Sequence, residues 1–369
     1  MSAAIWLGTR KGVFCVGKKA GRWQIVKRAF VGENITIVHR DPRDGAIYAT
    51  ISHGHFGCHL HRSDDDGATW TEIAAPAYPE QPKDLAPHPL SGRVIDWKLE
   101  LIWSIAHGGA DEPGVLWCGT VPGGLFRSTD RGATWTLNAA LWNVPTRGDW
   151  FGGGYMAPGI HSICVDPRNS RHVLVAISSG GVWRTEDGGA SWSHSSTGMR
   201  APYSPPEQQN APAAQDPHIM VRCPAAPDHL WIQHHAGIWR SADNAASWQE
   251  VTATAPSHFG FAAAVHPRNP QIAWFVPAEA DMSRAPKHAR VVVTKTTNGG
   301  KTLKVLRKGL PQTDAFDLVY RHALAIDTSG RILAFGSTTG GFWVSENGGS
   351  AWQQSPARFP PIYCVQIVG

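Results

Sequence analysis

The chain has 369 residues, of which only 17% are charged, and its formal net charge is +5, whereas it contains 39 glycines, 27 prolines and 17 tryptophans. No run of lysine or arginine marks a nucleic-acid-binding face, and the N-terminal segment has no apolar stretch long enough for a signal peptide or a membrane span. The composition favours many short strands joined by tight turns. We therefore expect a cytoplasmic protein that binds neither nucleic acid nor a membrane.

The cysteines support the same compartment. The six of them lie far apart and form no CxxC pair; they are Cys15, Cys58, Cys118, Cys164, Cys223 and Cys364. Most lie in apolar, strand-like segments, which favours reduced thiols in a core over disulfides.

The first predicted elements along the chain are strand-like segments at residues 4–16 and 21–30. One pattern, Ser/Thr-x-Asp/Asn-x-Gly-x-Ser/Thr-Trp, then occurs six times, and we call each copy a box. The boxes begin at Ser63, Ser128, Thr185, Ser241, Thr296 and Ser345. Departures from the pattern are Ala245 in the fourth, Leu303 in the fifth and Ala351 in the sixth. The spacing, about one four-stranded unit per copy, is typical of propeller blades.

Each box has the chemistry of a tight turn. The Asp or Asn side chain and the Ser/Thr hydroxyls can hydrogen-bond backbone groups. Glycine tolerates a positive φ, and the tryptophan that starts the next strand can pack between neighbouring sheets. The box therefore predicts a fold and indicates no reaction.

The box resembles the Asp-box, or BNR, repeat of the sialidase-like β-propellers, and the chain is similar along nearly its whole length to bacterial BNR-repeat glycosyl hydrolases. The resemblance implies an all-β propeller and, as one alternative, a sialidase-like glycoside hydrolase. Sialidases also carry an Arg-Ile-Pro motif, an arginine triad for the substrate carboxylate and a Tyr/Glu nucleophile pair. This chain has no Arg-Ile-Pro, and Arg40, Arg222 and Arg321 form no obvious set facing the tunnel, which argues against sialidase activity.

The repeats divide into strands A to D, with the box between C and D. In blade 3, strand A covers about 160–165, strand B 172–178 and strand C 181–185, and strand D starts near Trp192. Six boxes give six blades. A seventh combines the N-terminal strands with the C-terminal segment, residues 361–369, which removes an exposed sheet edge. We predict a single domain over residues 1–369, a seven-bladed β-propeller of four-stranded blades closed by strands from both ends.

In this layout every long connection lies on one face. The D–A loops are 76–99, 139–159, 196–217 and 307–321, and the insertion 277–290 is a B–C loop. The boxes lie on the opposite face. Because scaffolds carry function on loops, we expect the site on the loop face, at the mouth of the central tunnel.

Three of the 18 histidines take the same position in the A strands. His161, His218 and His322 align when these segments are aligned on the turns that follow them. Side chains alternate along a strand, so equivalent positions point the same way. With His235 from a B–C loop, these imidazoles suit a divalent transition metal such as Zn, Fe, Ni, Cu or Mn. The alternatives are histidines that merely hydrogen-bond inside the tunnel, or a metal-free cluster that moves protons or binds an anion.

Carboxyl and phenol groups precede these positions by two residues. Asp216 comes before His218, Tyr320 before His322, and Glu100 before Ile102, which this alignment places at the equivalent position in blade 2. We predict Glu100, Asp216 and Tyr320 as catalytic candidates. Glu100 or Asp216 would act as a general base or orient a ligand.

The rim supplies the predicted substrate contacts, which are His53, His55, His234, His258 and Trp150. Trp150 belongs to the glycine-rich loop 147–155, which we interpret as a lid or stacking platform. The alternative is that its aromatic residues pack over the seam between blades 2 and 3.

The leading hypothesis is a metal-dependent enzyme, most consistent with a hydrolase that acts on a small molecule, because an ion at the tunnel mouth could activate water or polarise a carbonyl. By analogy of geometry with carotenoid-cleaving propellers, which hold iron with four tunnel histidines, an oxygenase is the less favoured chemistry. The competing class is a non-catalytic binding propeller, as in sortilin-like receptors and photosystem assembly factors. The sequence leaves the substrate, the metal and the oligomeric state open.

Overall fold

The computed structural model describes residues 3–89, 91–152, 154–253 and 255–368. These residues form seven four-stranded antiparallel sheets. The first strands of successive sheets contact one another around a ring, and the last contacts the first. The predicted seven-bladed β-propeller is confirmed.

The strands follow the repeats closely. In chain order they are β1 (Ala4–Thr9), β2 (Gly12–Lys19), β3 (Arg22–Ala29), β4 (Ile35–Arg40), β5 (Ile47–His53), β6 (Gly57–Ser63), β7 (Thr71–Ile73), β8 (Leu101–His107), β9 (Leu116–Val121), β10 (Leu125–Ser128), β11 (Thr136–Leu137), β12 (Ile160–Asp166), β13 (Asn169–Ile177), β14 (Gly181–Thr185), β15 (Ser193–His194), β16 (Pro217–Arg222), β17 (Leu230–His234), β18 (Gly237–Ser241), β19 (Gln249–Glu250), β20 (Gly260–Val265), β21 (Ala273–Pro277), β22 (Val293–Thr296), β23 (Lys304–Leu306), β24 (Leu324–Ile326), β25 (Leu333–Gly336), β26 (Phe342–Ser345), β27 (Gln353–Gln354) and β28 (Ile362–Val368).

Helical structure is confined to the connections. A single turn of α-helix, α1 (Ala139–Trp142), follows β11, and Asn138 caps it by accepting a hydrogen bond from Leu141 N–H. The short 3₁₀ segments are Pro145–Asp149, Pro206–Gln208, Pro212–Ala214 and Lys287–Ala289. No helix among the residues that the structure describes is long and apolar enough to cross a membrane.

The two ends of the chain share one blade. Strand β28 pairs antiparallel with β1, placing Leu7 opposite Val365, and β2 and β3 complete the sheet. Blade 1 then begins at β4. As predicted, the shared blade joins both ends of the ring, so the propeller has no open sheet edge at the closure.

A register shift recurs near the start of the first strand of most blades. One residue there is skipped in the pairing with the second strand, as in a β-bulge, which re-aims its side chain. The skipped residues are Thr36, Trp103, His161, His218, Phe261 and Tyr363. The bulge therefore builds a ring of re-aimed side chains near one end of the tunnel.

The tryptophans of the boxes join neighbouring blades. Trp135 Nε1 donates to the carbonyl of Ala74, and Trp248 Nε1 donates to the carbonyl of Ser195, which both belong to the preceding blade. Trp248 is buried in a cluster with residues of blades 3 and 4. These two tryptophans satisfy the indole N–H while covering a seam between sheets, whereas Trp70 and Trp352 have no hydrogen-bond partner for theirs.

The second box shows the turn chemistry in full. Ser128 Oγ donates to Asp130 Oδ1 (2.7 Å) and accepts from Gly132 N–H (2.8 Å), while Asp130 accepts from both the amide and the hydroxyl of Thr134. Gly132 has φ +85°, and a Cβ there would lie 2.9 Å from Ile73 Cδ1. Asn298 accepts the corresponding amide hydrogen bond from Thr302 in the fifth box.

The box carboxylates predict an acid-sensitive part of the stability. Hydrogen bonds from Thr134, and from Thr69 in the first box, lower the pKa of Asp130 and of Asp65 to about 2. Their contribution is present above the unfolded-state pKa of about 4 and is lost as pH falls towards about 2. We expect Asp130→Asn to fold, as natural Asn boxes do, and to show a smaller fall in urea midpoint between pH 5 and pH 2. An unchanged pH dependence would remove this role.

All six cysteines are free thiols. Five are buried and Cys58 is partly buried. Burial raises the pKa of Cys15 and of Cys364 to about 11, so both stay protonated near neutral pH. Their position among strand residues makes them small apolar parts of the core.

Candidate functional site

The tunnel opens into a cavity of about 550 Å³ that we call the mouth pocket. Segments from several blades meet there: Ser52 lies near the end of β5, Tyr155 comes from the loop before β12, and Arg284 from the insertion after β21. The other residues of the wall that matter for its chemistry are Glu100, Trp103, Tyr320, Arg321, His322 and Tyr363. This is the loop face, where the sequence predicts the site.

The bulges supply aromatic walls to the mouth pocket. Trp103 lies edge-on to Tyr155 (5.2 Å between ring centroids) and to His161 (5.5 Å). Tyr320 lies edge-on to Phe261 at 5.3 Å. Rigid aromatic rings of this kind suit the apolar faces of a ring-shaped ligand.

Two arginines face these rings. The guanidinium of Arg321 lies 4.7 Å from the centroid of Trp103 and 5.4 Å from that of Phe261, and Arg284 lies 5.4 Å from Phe261. Arg321 is only 8% exposed, and burial lowers its pKa to about 10, so it remains charged at neutral pH. Arg284 also pairs with Asp281 at 2.6 Å. Because Asp281 offsets the charge of Arg284, it is the charge of Arg321 on this wall that favours an anionic group on the ligand.

Glu100 stands between the mouth pocket and a second cavity. It lines both, and the second cavity, about 430 Å³, is also lined by His53, His55 and Asp96. Glu100 is an exposed residue at the pocket wall, and its partial removal from water raises the pKa of its carboxyl, which favours the protonated form. A carboxyl group tuned in this direction is suited to donate a proton.

A compact cluster of buried and partly buried groups lies near the mouth pocket, because Phe261, which contacts one of its histidines, also contacts Tyr320 of the pocket wall. Asp216 Oδ2 lies 3.7 Å from His218 Nε2 and 3.4 Å from His235 Nδ1. Although burial alone would raise it, His218 and His235 hold the pKa of Asp216 well below its usual range. Burial lowers the pKa of His218 against the pull of Asp216. His218 stacks on Phe261 at 4.5 Å, and both arginines contact the same ring.

His161 and His322 lie nearer the tunnel. Both line a cavity of about 270 Å³ there, and His322 also lines the mouth pocket. His322 Nε2 donates to the backbone carbonyl of His161 (2.7 Å), and His161 Nδ1 lies 2.9 Å from Ser162 Oγ. Burial lowers the pKa of His322 to about 4. The structure thus joins these two histidines through a backbone carbonyl.

Three predicted rim residues have other surroundings. Trp150 is 1% exposed and packs against Trp183 at 5.6 Å, so its ring belongs to the core. His234 is fully buried, and its Nε2 accepts from Asp216 N–H (2.9 Å). His258 is exposed, and its carbonyl accepts from Gln233. Of the predicted lid at 147–155, Gly153 lies outside the described residues.

Trp103, Phe261 and Tyr363 were not identified from the sequence. Arg321 was not placed at the tunnel, although it lines the mouth pocket. The register places Trp103, not Ile102, at the bulge position of blade 2. A usable signal exists, because Phe261 precedes the turn at His266 by the same five residues that separate His161 from Asp166. Counting back from every turn, and not only to histidines, would have found Phe261.

No known family profile matches the chain. The fold class is shared with the GH74 xyloglucanase of Xanthomonas campestris, which has 18% sequence identity and a TM-score of 0.63, over 97% of this chain and 53% of that one. At this identity the likeness shows the fold alone.

Two relatives are more similar in sequence over part of the chain. A probable oligoxyloglucan-reducing end-specific xyloglucanase of Neosartorya fischeri is 29% identical over 199 residues, which cover 52% of this chain and 22% of the relative. A xyloglucanase of Hypocrea jecorina is 24% identical over 176 residues, which cover 44% of this chain and 20% of the relative. The chain spans about a fifth of the length of the relatives it matches.

Proposed function

We propose that this chain is a hydrolase that cleaves a glycosidic bond in a small carbohydrate, with the mouth pocket as its active site. The observation that carries the proposal is the lining of the mouth pocket, which brings the Glu100 carboxyl together with Arg321 and the rings of Trp103 and Tyr155. The directions of two pKa shifts agree with it. Burial raises the pKa of Glu100, while His218 and His235 hold that of Asp216 low. Pairs of carboxyl groups tuned apart are the arrangement that acid–base hydrolysis needs. The similarity to xyloglucanases supports the reaction class.

In this proposal Glu100 is the general acid. Its raised pKa lets it hold a proton and pass it to the leaving oxygen as the bond breaks. Asp216 remains ionised and, with His218 and His235, orients or deprotonates the attacking water. Trp103 and Tyr155 stack on the sugar ring, and Tyr320 contacts it from the neighbouring wall.

Arg321 narrows the substrate class. Because a guanidinium binds a carboxylate through two parallel hydrogen bonds, Arg321 suits a sugar that bears a carboxylate, while Arg284 is already bonded to Asp281. Uronides and sialosides both fit this description, so the sialidase-like alternative falls within it.

The test is a panel of fluorogenic glycosides assayed with the purified chain. We expect turnover of a glucuronide or a sialoside and little turnover of the matched glucoside and xyloside. If only the neutral glycosides are cleaved, the proposal that the substrate sugar bears a carboxylate is wrong. If no glycoside in the panel is cleaved by folded protein, the hydrolase proposal fails.

One observation favours a second candidate, a protein-binding propeller. Large exposed apolar side chains concentrate in the loops of the mouth face, where Phe56 is 71%, Phe316 62% and Met282 96% exposed. Exposed apolar residues grouped on one face mark interaction surfaces. Selection from a random-peptide library should then yield apolar peptides whose binding is lost when these three residues become serine, while the wild-type chain cleaves no glycoside.

A further inference from the structure

The cluster beside the mouth pocket contains three groups of the kind that bind transition metals. Asp216, His218 and His235 each offer one ligand atom, and these atoms all lie within 4.8 Å of one another. Within the described parts of the chain, this is the one group of three or more such residues that meets this spacing. Two imidazoles and a carboxylate form a ligand set used by catalytic zinc and non-haem iron sites.

The distances within the cluster fit an ion. Ligand atoms about 2.0–2.1 Å from a tetrahedral metal lie about 3.3 Å apart. The two measured separations from Asp216 Oδ2, 3.4 Å to His235 Nδ1 and 3.7 Å to His218 Nε2, are near this value. The longer one exceeds a hydrogen bond. A small closing movement of the imidazoles would therefore complete three metal–ligand bonds.

His218 is held as metal-binding histidines usually are. Its Nδ1 lies 2.6 Å from the carbonyl oxygen of Gly260, and because that oxygen can only accept, Nδ1 carries the hydrogen. The neutral ring then has its lone pair on Nε2, which points towards the carboxylate of Asp216. His218 Nε2 and Asp216 Oδ2 are both electron-rich, and facing each other in a buried site is unfavourable unless a cation or a proton lies between them. A ring nitrogen bonded to a backbone carbonyl is also the usual support of a ligating histidine.

The backbone around Asp216 is fixed by hydrogen bonds to the end of β17, the strand that pairs with β16. Asp216 N–H donates to His234 Nε2 (2.9 Å), and the carbonyl of Asp216 accepts from His235 N–H (2.9 Å). These bonds hold the carboxylate and His235 in register. One side remains open, because the side chain of His235 is 25% exposed, so water or substrate could take a further coordination position.

We propose that Asp216, His218 and His235 bind one divalent first-row transition-metal ion at the edge of the mouth pocket. Two of these, His218 and His235, are among the four histidines that the sequence pattern selects as ligands, while His161 and His322 lie outside the cluster. The carboxylate of Asp216 completes the set. The ion would supply an activated water. The positive charge of Arg321 acts on Asp216 and opposes a second cation, so binding should be weaker than at a site without such a neighbour.

The experiment titrates the chelator-treated chain with Co²⁺, followed by visible absorption, and with Zn²⁺, followed by calorimetry. We expect one ion per chain, with Zn²⁺ displacing Co²⁺. Asp216→Asn and His235→Asn should each weaken binding more than the about 10- to 100-fold that loss of a supporting residue costs. His172→Gln, a partly exposed histidine near the opposite face, is the matched control and should bind as the wild type does.

Circular dichroism and thermal unfolding establish that each variant is folded. If a variant does not fold, the wild-type chain still provides a test, because an ion that binds only the folded state raises its Tm with concentration. Absence of uptake by the wild type, or unchanged affinity in folded Asp216→Asn, would overturn the inference. Ion binding is measured without substrate, so it can be compared with the separate glycoside assay. If the chain binds the ion but cleaves no glycoside, the proposed hydrolase fails and this inference stands. If metal-free protein cleaves a glycoside and takes up no ion, this inference fails and the hydrolase stands.

Discussion

Glu100→Gln is expected to lower kcat for an anionic glycoside by about 100- to 10,000-fold, the usual contribution of a positioned general acid. The amide keeps the shape of the side chain but has no proton to give. KM should change little, because the proton is transferred only as the bond breaks. The control is Glu207→Gln, in an exposed 3₁₀ segment of another loop on the same face. Loss of activity in both variants, or in neither, would contradict this role.

The pH dependence of Glu100→Gln provides a second readout. Because burial raises the pKa of Glu100, the acid form persists above the usual value of about 4.3, and activity should fall as pH rises through the raised pKa. The variant should lack this basic limb. The native carboxyl also binds its proton more tightly than the unfolded one, so its ionisation lowers stability as pH rises. Glu100→Gln should therefore be at least as stable as the wild type at neutral pH, which separates loss of chemistry from unfolding.

Arg321→Met is expected to raise KM for a carboxylate-bearing glycoside by about 10- to 100-fold, the range for losing a charged hydrogen bond. The effect should be absent for a neutral substrate. Arg321→Lys should give an intermediate KM, since lysine keeps the charge and loses the planar fork. The control is Arg200→Met, because Arg200 is exposed in another loop of the same face. An unchanged KM for the anionic substrate would show that Arg321 does not contact it.

Arg321→Met should also act on the neighbouring cluster. The charge of Arg321 helps to hold the pKa of Asp216 low, so its removal should raise that pKa. The variant should also lose stability, because removing one of two buried charges leaves the Asp216 carboxylate less compensated. Thermal unfolding and the acid limb of the activity profile measure the two effects.

The propeller was predictable because its signals are local. Each box closes within a few residues: Thr134 bonds Asp130, four positions earlier. Six such turns set the strand register of the repeats, in which His161 and His218 take the same bulge position, while His322 precedes β24. The shared blade followed from unpaired strands at both ends of the chain, since an exposed sheet edge is unfavourable.

The site was less predictable because it depends on bulges and on the ends of hairpins. A single skipped residue makes Trp103 the bulge residue where the alignment chose Ile102, since one step along a strand reverses the side chain. His234 and His235 are adjacent and chemically identical in the sequence. Only the hairpin geometry buries His234 under Asp216 and leaves His235 facing the carboxylate.

By itself, the sequence determined the repeat, the number of blades and the face that carries the loops, because turn chemistry and strand alternation act over a few residues. The tertiary structure alone decided which side chains meet. Arg321 and Arg284 come from different loops and reach the same ring, Phe261, while Asp216 and His218 approach His235 from across a hairpin. Such distances follow from how blades pack around the tunnel, and no spacing along the chain encodes them.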